Sequence, residues 1–398
     1  MEFTFSKRAK NFTFALMGIG LVGLIIGVLT DHSDHASNRI WANVLVNGFF
    51  FFAISLGALF FLALQYATEA AWGTVLKRVF EAVMGYLPIG IVVIALIMVA
   101  SSLHMNHLYH WMDGELYDKT SHHYDPLIAN KGTYLNVPFF LIRTFVYLAT
   151  FFIFMRSFRK RSLLEDQVGG TDLHFKNYRQ GALFLVFFAV FSSTMAWDWL
   201  MSLDPHWFST MYGWYVFSGM WVSAIITFIM IVLYLQGQGY LKQVNESHIH
   251  DLGKWMFAIS FLWSYIWFFQ FMLIWYSNIP EEITYFKFRI EHYNVPFFMM
   301  FAVNFILPML FLMSREAKRH RKILTIIGLV IFLGHWFDVY VLVMPATVFE
   351  EWHYGLLEIG MFLVFLGSFI YVVLNNLTKS PLVPVQHPYL DESIHHHI

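Results

Sequence analysis

The residues whose types could do chemistry lie inside otherwise apolar segments: Arg143, Asp198, His335, Asp338 and Glu358. An ionisable side chain at membrane depth is costly, so each is by default a candidate functional residue. Asp198 stands between two indoles, those of Trp197 and Trp199. Apolar rings withdraw water from a carboxyl group and poise it for taking up and releasing a proton. We therefore predict that these residues transfer protons.

The depth of these residues in the predicted helices suggests how they pair. Arg143 and Asp198 come at similar depth on consecutive helices, which predicts an ion pair between them. His335 and Asp338 are three residues apart on one helix face, a spacing that suits proton exchange. The alternative is that such pairs only fix helix packing, as polar contacts between membrane helices often do. The grouping of acids, histidine and arginine in one layer favours function.

Membrane helices are the elements that must position these residues. The chain has 398 residues, of which 58% are hydrophobic and only 13% charged, whereas about a quarter are charged in soluble domains. A span needs about 20 apolar residues, and the sequence therefore predicts an all-α polytopic membrane protein with ten transmembrane helices. The predicted spans are 11–30, 44–65, 82–102, 135–155, 180–202, 211–235, 253–276, 295–313, 322–345 and 354–375.

The distribution of basic residues predicts the orientation. Most of the 25 Lys and Arg residues fall on the side of the membrane that carries the N-terminus. Cytoplasmic loops carry such an excess, so we expect both termini in the cytoplasm of a bacterium and the protein in its inner membrane. Loops 104–134 and 277–294 then face the periplasm, either as docking surfaces for a partner protein or as ordinary solvated loops. The tail 380–398 is either an arm along a partner or a frayed end.

Several classes of site are excluded or not predicted. The chain has no cysteine, which excludes Cys-ligated iron–sulfur clusters and disulfides. His335 is the only histidine well inside a predicted span, so we predict no haem held by two histidines. We also predict no metal site. The net charge of −1 gives no reason to expect a nucleic-acid partner.

A short internal repeat predicts how the helices are grouped. Asn-Val-Pro-Phe-Phe opens the fourth predicted helix at 136–140 and the eighth at 294–298. The next helix in each case carries an acid beside aromatic residues, Asp198 and Asp338. This order predicts two parallel four-helix bundles. The expected divisions are 1–43 with a flanking helix, 44–210 as the first bundle, 211–345 as the second, and 346–398 with the last flanking helix and the tail.

This organisation resembles that of the NrfD-like (polysulfide-reductase membrane subunit) family. The resemblance rests on ten spans in two bundles with flanking helices, on the lack of cysteine, and on one segment. That segment, 192–207, reads Ser-Ser-Thr-Met-Ala-Trp-Asp-Trp-Leu-Met-Ser-Leu-Asp-Pro-His-Trp. It is most similar to the shorter NrfD-like subunit of bacterial alternative complex III, a quinol:electron-acceptor oxidoreductase. The match covers about residues 10–375.

The resemblance implies a membrane subunit without a redox centre of its own, and so without haem or an iron–sulfur cluster. It implies partners in a respiratory complex: a second NrfD-like subunit, a periplasmic iron–sulfur subunit and c-type haem subunits. Menaquinol would supply the electrons, and this chain would contribute proton transfer and a quinone pocket near the periplasmic face. The residues predicted to contact quinone are Trp197, Trp199, His104 and His107.

Two other functions remain open from the sequence. A secondary transporter also uses parallel repeats and buried charge, and a structural scaffold would need only the helix packing. Co-purification with haem and iron–sulfur subunits separates the transporter from the other two. Quinone labelling of this chain separates the scaffold from a quinone-binding subunit. We expect that changing Asp198 or Asp338 to asparagine lowers quinol-driven proton release while the complex still assembles.

Overall fold

Long helices make up most of the protein. A computed structural model describes residues 2–32 and 35–397, and these residues contain helices and loops but no β-strand. Ten helices are long and apolar enough to cross a membrane, which confirms an all-α, multi-pass architecture. They are α1 (Lys7–Thr30), α2 (Ala36–Ala67), α3 (Trp72–Ser102), α4 (Val137–Val168), α5 (Asp172–Leu203), α6 (Met211–Gly237), α7 (Glu246–Ser277), α8 (Asn294–Leu312), α9 (Arg321–Thr347) and α10 (Leu356–Leu377).

Several helices are longer than the apolar runs that predicted them. Helix α4 continues to Val168 instead of ending near residue 155, and α5 begins at Asp172 instead of near 180. Hydropathy detects only the part of a helix that suits lipid, whereas polar turns beyond it form when ion pairs hold them. Here Lys77 of α3 binds Glu165 in the extension of α4, with 2.7 Å between Nζ and Oε2.

Helix α2 is the centre of the molecule. It is buried along almost its whole length and contacts α3, α5, α6, α9 and α10. A run of four phenylalanines, Phe49–Phe52, lies in its middle and is buried on all sides. A helix that is apolar all round is expected at such a position, since only buried or lipid-facing helices lack a polar face. The residues on α5, α6 and α9 that could do chemistry therefore surround a common core helix.

Glycines bring α1 and α10 into backbone contact. A Cβ atom at Gly360 would lie 2.5 Å from the backbone N of Leu24 and 2.7 Å from the carbonyl O of Gly20. Gly367 approaches Thr13 of α1 in the same way. Small residues at an interface allow membrane helices to approach closely, because no side chain separates the backbones. Much of the rest of α1 is exposed and apolar, as expected of a surface that faces lipid.

The Gly360 contact makes a direct prediction about stability. We expect Gly360→Leu to destabilise the protein by at least about 1–3 kcal/mol, because the new side chain meets backbone atoms that have no room to move. Unfolding by SDS titration in detergent measures this loss. Gly18→Leu on α1 is the matched control, since nothing lies within 4 Å of its Cβ position. Equal loss in both variants would contradict the close contact.

A helix replaces one predicted loop at the side of the membrane opposite the N-terminus. We call that side the distal face and the side at which α1 begins the N-terminal face. The segment between α7 and α8, expected to be a loop at 277–294, forms a helix over Pro280–His292, here called the loop helix. Pro280 occupies its first turn with Glu281 and Glu282, and Arg289 lies in its last turn. These are the usual signals of a helix start and end.

The C-terminal tail packs against the N-terminal face of its own chain. It ends in a short helix, Leu390–Ile394. The Ser393 hydroxyl accepts a hydrogen bond from the backbone N–H of Val75 at 3.2 Å, and Nε2 of His396 lies 2.7 Å from Oδ2 of Asp251. The tail up to residue 397 is therefore not frayed, because several of its polar groups bond to other parts of the chain.

Candidate functional site

Asp338 is a buried carboxylate held by neutral groups. It lies on α9 and is 4% exposed. The Tyr215 hydroxyl of α6 donates a short hydrogen bond to Oδ1, and the Trp263 indole N–H of α7 donates to Oδ2 at 3.0 Å. No lysine or arginine among the described residues forms an ion pair with it. A proton taken up by this carboxylate would therefore displace no ion pair, which suits a proton carrier.

His335 is the basic neighbour of Asp338, as predicted from their spacing. Its Nδ1 lies 3.8 Å from Oδ2 of Asp338, and its ring is 1% exposed. Neither ring nitrogen has a hydrogen-bond partner among the described residues. A buried polar group left unpaired costs about 1–3 kcal/mol. The pair therefore has unused capacity to bind a proton or a water molecule.

A small cavity lies directly beside this pair. Its volume is about 20 Å³, and Gly219 and Ser223 of α6 line it together with His335 and Asp338. One water molecule needs about 10–15 Å³ of such space and two or more polar partners. A Cβ at Gly219 would lie 3.5 Å from Oδ2 of Asp338 and 3.6 Å from Nδ1 of His335. The absence of a side chain there keeps space for a water between the acid and α6.

An irregular turn on α8 brings another polar group next to α9. Residues Ala302–Ile306 form a π-helical turn that contains Asn304. Asn304 is fully buried, and neither its amide N nor its amide O has a partner among the described residues. The amide O sits against Gly334, which directly precedes His335. Such turns are frequent at functional sites because they redirect a side chain within a helix.

Further tyrosine side chains lie between Asp338 and the distal face. Tyr212 is one turn before Tyr215 on α6, with 6.3 Å between the two ring centroids. The negative charges of Asp338 and of Asp204, the acid that follows α5, both act on the Tyr285 phenol of the loop helix. Burial raises the pKa of the Tyr285 phenol to about 12, although the nearby cation of Arg289 opposes the rise. The Tyr285 phenol therefore keeps its proton at neutral pH.

Arg143 and Asp198 form the predicted ion pair. The pair is bidentate, with 2.8 Å from Nε to Oδ2 and 2.8 Å from Nη2 to Oδ1. The Tyr147 hydroxyl also donates to Oδ2 at 3.0 Å. The guanidinium also lies against two rings, 3.9 Å from the centroid of Tyr134 and 4.2 Å from that of Phe139. Both carboxylate oxygens are engaged by a fixed cation, so the geometry favours a permanent electrostatic contact over proton exchange.

Glu358 is also held by an arginine. Nε and Nη2 of Arg39 donate to its Oε1 and Oε2, each at 2.8 Å. The backbone N–H of Gly355 donates to Oε2 at 2.8 Å, which caps the start of α10. Arg39 lies outside the predicted second helix but inside the observed α2, and it is 2% exposed. The acid therefore ties α10 to α2 at the distal face.

The four residues predicted to contact quinone are in different environments. Trp199 is fully buried, and its indole N–H donates to the hydroxyl of Thr144 at 3.0 Å. Trp197 is partly buried, and its indole N–H has no partner among the described residues. His104 and His107 are exposed on the loop after α3. Among the described residues the indole N–H of Trp197 is therefore free to bind another group, whereas Trp199 packs inside the protein.

The two copies of the internal repeat do not have the same local roles. The Asn136 side chain caps α4 by accepting from the backbone N–H of Phe139 at 3.0 Å. Asn294 makes no such cap bond at the start of α8, where Tyr293 occupies the cap position. The two acids that follow also differ, since one is paired with a guanidinium and the other is not. Equivalent positions in the sequence repeat therefore differ in chemistry.

Three buried residues at the N-terminal face could hold a metal ion. Glu165, His174 and His387 offer ligand atoms that all lie within 4.8 Å of one another. The carboxylate already binds the Lys77 ammonium, and Nδ1 of His387 accepts from the backbone N–H of Tyr389 at 3.2 Å. Burial, with the charge of Lys77, lowers the pKa of the His387 imidazole to about 2. A metal ion at this place would have to share the Glu165 carboxylate with the Lys77 ammonium.

Sequence reasoning missed Tyr215 and Trp263, which hold Asp338, and Arg39, which holds Glu358. Tyr215 and Trp263 give no signal in a chain that has 20 Tyr and 14 Trp residues. Arg39 carried a signal, since a basic residue just before an apolar run can extend the helix and meet an acid on another helix end.

No protein-family model and no curated protein matches this chain. The resemblance to the NrfD-like family therefore rests on the tryptophan–aspartate segment and on the order of the predicted helices. Function has to be argued from the geometry of the buried polar groups.

Proposed function

We propose that this chain is the proton-transferring membrane subunit of a quinol-oxidising respiratory complex in a bacterial inner membrane. The observation that carries the proposal is Asp338, a buried acid with which no Lys or Arg of the described residues forms an ion pair, next to His335 and a water-sized cavity. Quinol oxidation releases protons together with electrons, so such a complex needs groups that accept and pass on protons. This chain supplies those groups, and partner subunits supply the electron acceptors.

The proposed path runs through the second half of the chain. His335 receives a proton from a water bound in the cavity that Ser223 lines and passes it to Asp338. Tyr215, whose hydroxyl is hydrogen-bonded to the acid, then accepts this proton at its phenol O and releases its own hydroxyl proton to a water on the distal side, so that the phenol stays neutral. Each step joins groups in direct or water-bridged contact, as proton transfer requires. Orientation with both termini in the cytoplasm makes the distal face periplasmic.

In this proposal the ten helices form two four-helix bundles with α1 and α10 as flanking helices. Asp198 and Glu358 hold the bundles in place through Arg143 and Arg39, whereas Asp338 does the transfer. The chain belongs with the NrfD-like subunits, and its partners are a second such subunit, a periplasmic iron–sulfur subunit and c-type haem subunits. Menaquinol is the proposed substrate of the complex. A quinone contact on this chain has less support, because Trp199 is buried and both predicted histidines are exposed.

Co-purification tests this function. A tag on the chain, used to purify it from native membranes in mild detergent, is expected to recover c-type haem absorbance and iron–sulfur protein in stoichiometric amounts. The preparation should oxidise a soluble menaquinol analogue. Recovery of the chain alone, with no haem subunit under several detergent conditions, would count against the respiratory function.

A secondary transporter is the second candidate. The observation that favours it is the π turn of α8 with the unpartnered Asn304, since transporters place interrupted helices at their binding sites. The same purification separates the two functions, because a transporter needs no haem subunit. A scaffold without a proton role would co-purify with haem but would tolerate loss of Asp338.

A further inference from the structure

A cavity at the distal face is lined by two opposite charges. It has a volume of about 490 Å³ and lies between the turn after α5, the loop helix and the end of α9. Arg289 of the loop helix and Asp204 of the turn both line it, and apolar atoms of Leu203, Phe288 and Phe349 contribute further walls. Its size is in the range of small-molecule and cofactor sites. The proton path described above does not use it.

Arg289 is a buried cation with unused hydrogen-bond donors. It is 3% exposed. Its Nε donates to the carbonyl O of Val341 at 3.2 Å, and its Nη1 donates to the carbonyl O of Tyr285 at 3.0 Å. A guanidinium has five N–H donors, and Nη2 makes no hydrogen bond within the described part of the chain. No carboxylate there forms an ion pair with it either.

The position of Arg289 is set by a proline. Pro345 lies inside α9 and has no N–H, so the carbonyl of Val341, four residues earlier, lacks its usual helical donor. Nε of Arg289 donates a hydrogen bond to that carbonyl O instead. The Tyr285 ring stacks on the guanidinium, with 3.4 Å from Cζ to the ring centroid. These contacts fix the guanidinium at the cavity wall and leave the Nη2 end available.

Asp204 is the complementary charge. Its carboxylate makes no hydrogen bond or ion pair with any residue that the structure describes, and in particular it does not pair with Arg289. Lys131 is close enough for the charge of Asp204 to act on its ammonium, but it donates its hydrogen bond to the backbone O of Pro205 at 2.6 Å. A cation and an anion that line one cavity without meeting fit a ligand that carries both charges.

We propose that this cavity binds the headgroup of a phospholipid with a phosphate and a primary ammonium, as in phosphatidylethanolamine. Arg289 binds the phosphate, because a guanidinium fork matches phosphate oxygens in geometry and charge. Asp204 accepts from the ammonium group. The apolar walls contact the glycerol and the first carbons of the acyl chains. The cavity lies at the ends of the spanning helices, where lipid headgroups are located.

This assignment distinguishes among lipid classes. Phosphatidylglycerol offers the phosphate but no ammonium to Asp204. Phosphatidylcholine offers a quaternary ammonium that has no N–H to donate. Inorganic phosphate offers one charge and no apolar part. The order of affinity at a site built from Arg289 and Asp204 is therefore phosphatidylethanolamine first, with each of the other three weaker.

Native mass spectrometry of the delipidated full chain, titrated separately with each of these four ligands, tests the proposal. We expect one phosphatidylethanolamine molecule to bind per chain. Loss of a charge-assisted hydrogen bond weakens binding by about 10- to 100-fold, so Arg289→Met and Asp204→Asn should each raise the apparent Kd by that factor. Asp204→Asn should also remove the preference over phosphatidylglycerol.

Two further variants keep the test decisive. Lys287→Met removes an exposed cation two residues from Arg289 on the same helix, and its apparent Kd should equal that of the unaltered chain. Ala346→Phe fills the cavity without touching either charge and should abolish specific binding even if Arg289→Met fails to fold. Equal binding of phosphatidylglycerol and phosphatidylethanolamine by the unaltered chain, or unchanged binding by Asp204→Asn, would overturn the proposal.

Discussion

Changing Asp338 to asparagine is expected to lower quinol-driven proton release by about 100-fold or more, because a carboxamide does not take up the proton that the acid passes on. The asparagine side chain keeps the shape of the acid. Its amide O can still accept from the Trp263 indole N–H, and its NH2 can donate to the Tyr215 hydroxyl O after that hydroxyl rotates. The folded complex should therefore assemble normally. The measurement is the pH change inside liposomes that contain the purified complex, after addition of a menaquinol analogue.

Companion variants show whether the effect belongs to this acid. Asp391→Asn changes an acid whose side chain is 93% exposed on the tail and should leave proton release unaltered. Tyr215→Phe removes one hydroxyl from the path, and we expect a loss of about tenfold, as for one strong hydrogen bond. His335→Gln should lower release by a factor between these two. Normal proton release in Asp338→Asn would exclude the proposed path.

The sequence predicted the number and order of the spanning helices because lipid imposes an apolar length on each of them. It could not predict where the helices end. Helix α4 continues for more than ten residues past the predicted boundary, through a charged segment that pairs with α3. The loop helix was missed for the same reason, since its apolar stripe is short although its end signals are present. Contacts with other segments stabilise such polar turns, and a single sequence does not show them.

The candidate site was predicted in part. The pairing of Arg143 with Asp198 and the spacing of His335 and Asp338 followed from depth and periodicity, and the structure confirms both contacts. The sequence alone predicts the same proton-transferring role for Asp198 and Asp338. Their partners make them different, because an arginine binds one and a phenol and an indole bind the other. Those partners lie on other helices, and the order of the helices does not predict how each helix is rotated about its axis.

This difference assigns separate roles to the two acids. A carboxylate bound at both oxygens by a guanidinium gains much of its stability from that cation. Taking up a proton would break this contact inside the bilayer. Both donors that the structure describes at Asp338 are neutral, so adding or removing a proton exchanges one set of hydrogen bonds for another. We therefore expect changes at Asp198 to act first on folding and changes at Asp338 to act first on proton transfer.

Removing Arg143 alone is expected to destabilise the protein by about 3–5 kcal/mol, because Asp198 would remain buried and charged without its counter-ion. Arg143→Met keeps most of the side-chain volume and tests the loss of charge. Asp198→Leu should be equally damaging, since it leaves a buried guanidinium. Unfolding by SDS titration of the purified chain in detergent gives the free energy of unfolding for each variant.

The double variant Arg143→Met with Asp198→Leu decides whether the pair is structural. Replacing a whole buried ion pair by apolar residues is often nearly neutral, because neither charge is left unpaired. We expect the double variant to recover all but about 1–2 kcal/mol of the loss, the remainder coming from the Tyr147 hydroxyl that no longer has its acceptor. Adding Tyr147→Phe should recover part of that remainder. Recovery of both stability and quinol-driven proton release would establish Asp198 as a packing residue. If stability recovers and proton release stays lost, Asp198 belongs to the transfer path together with Asp338.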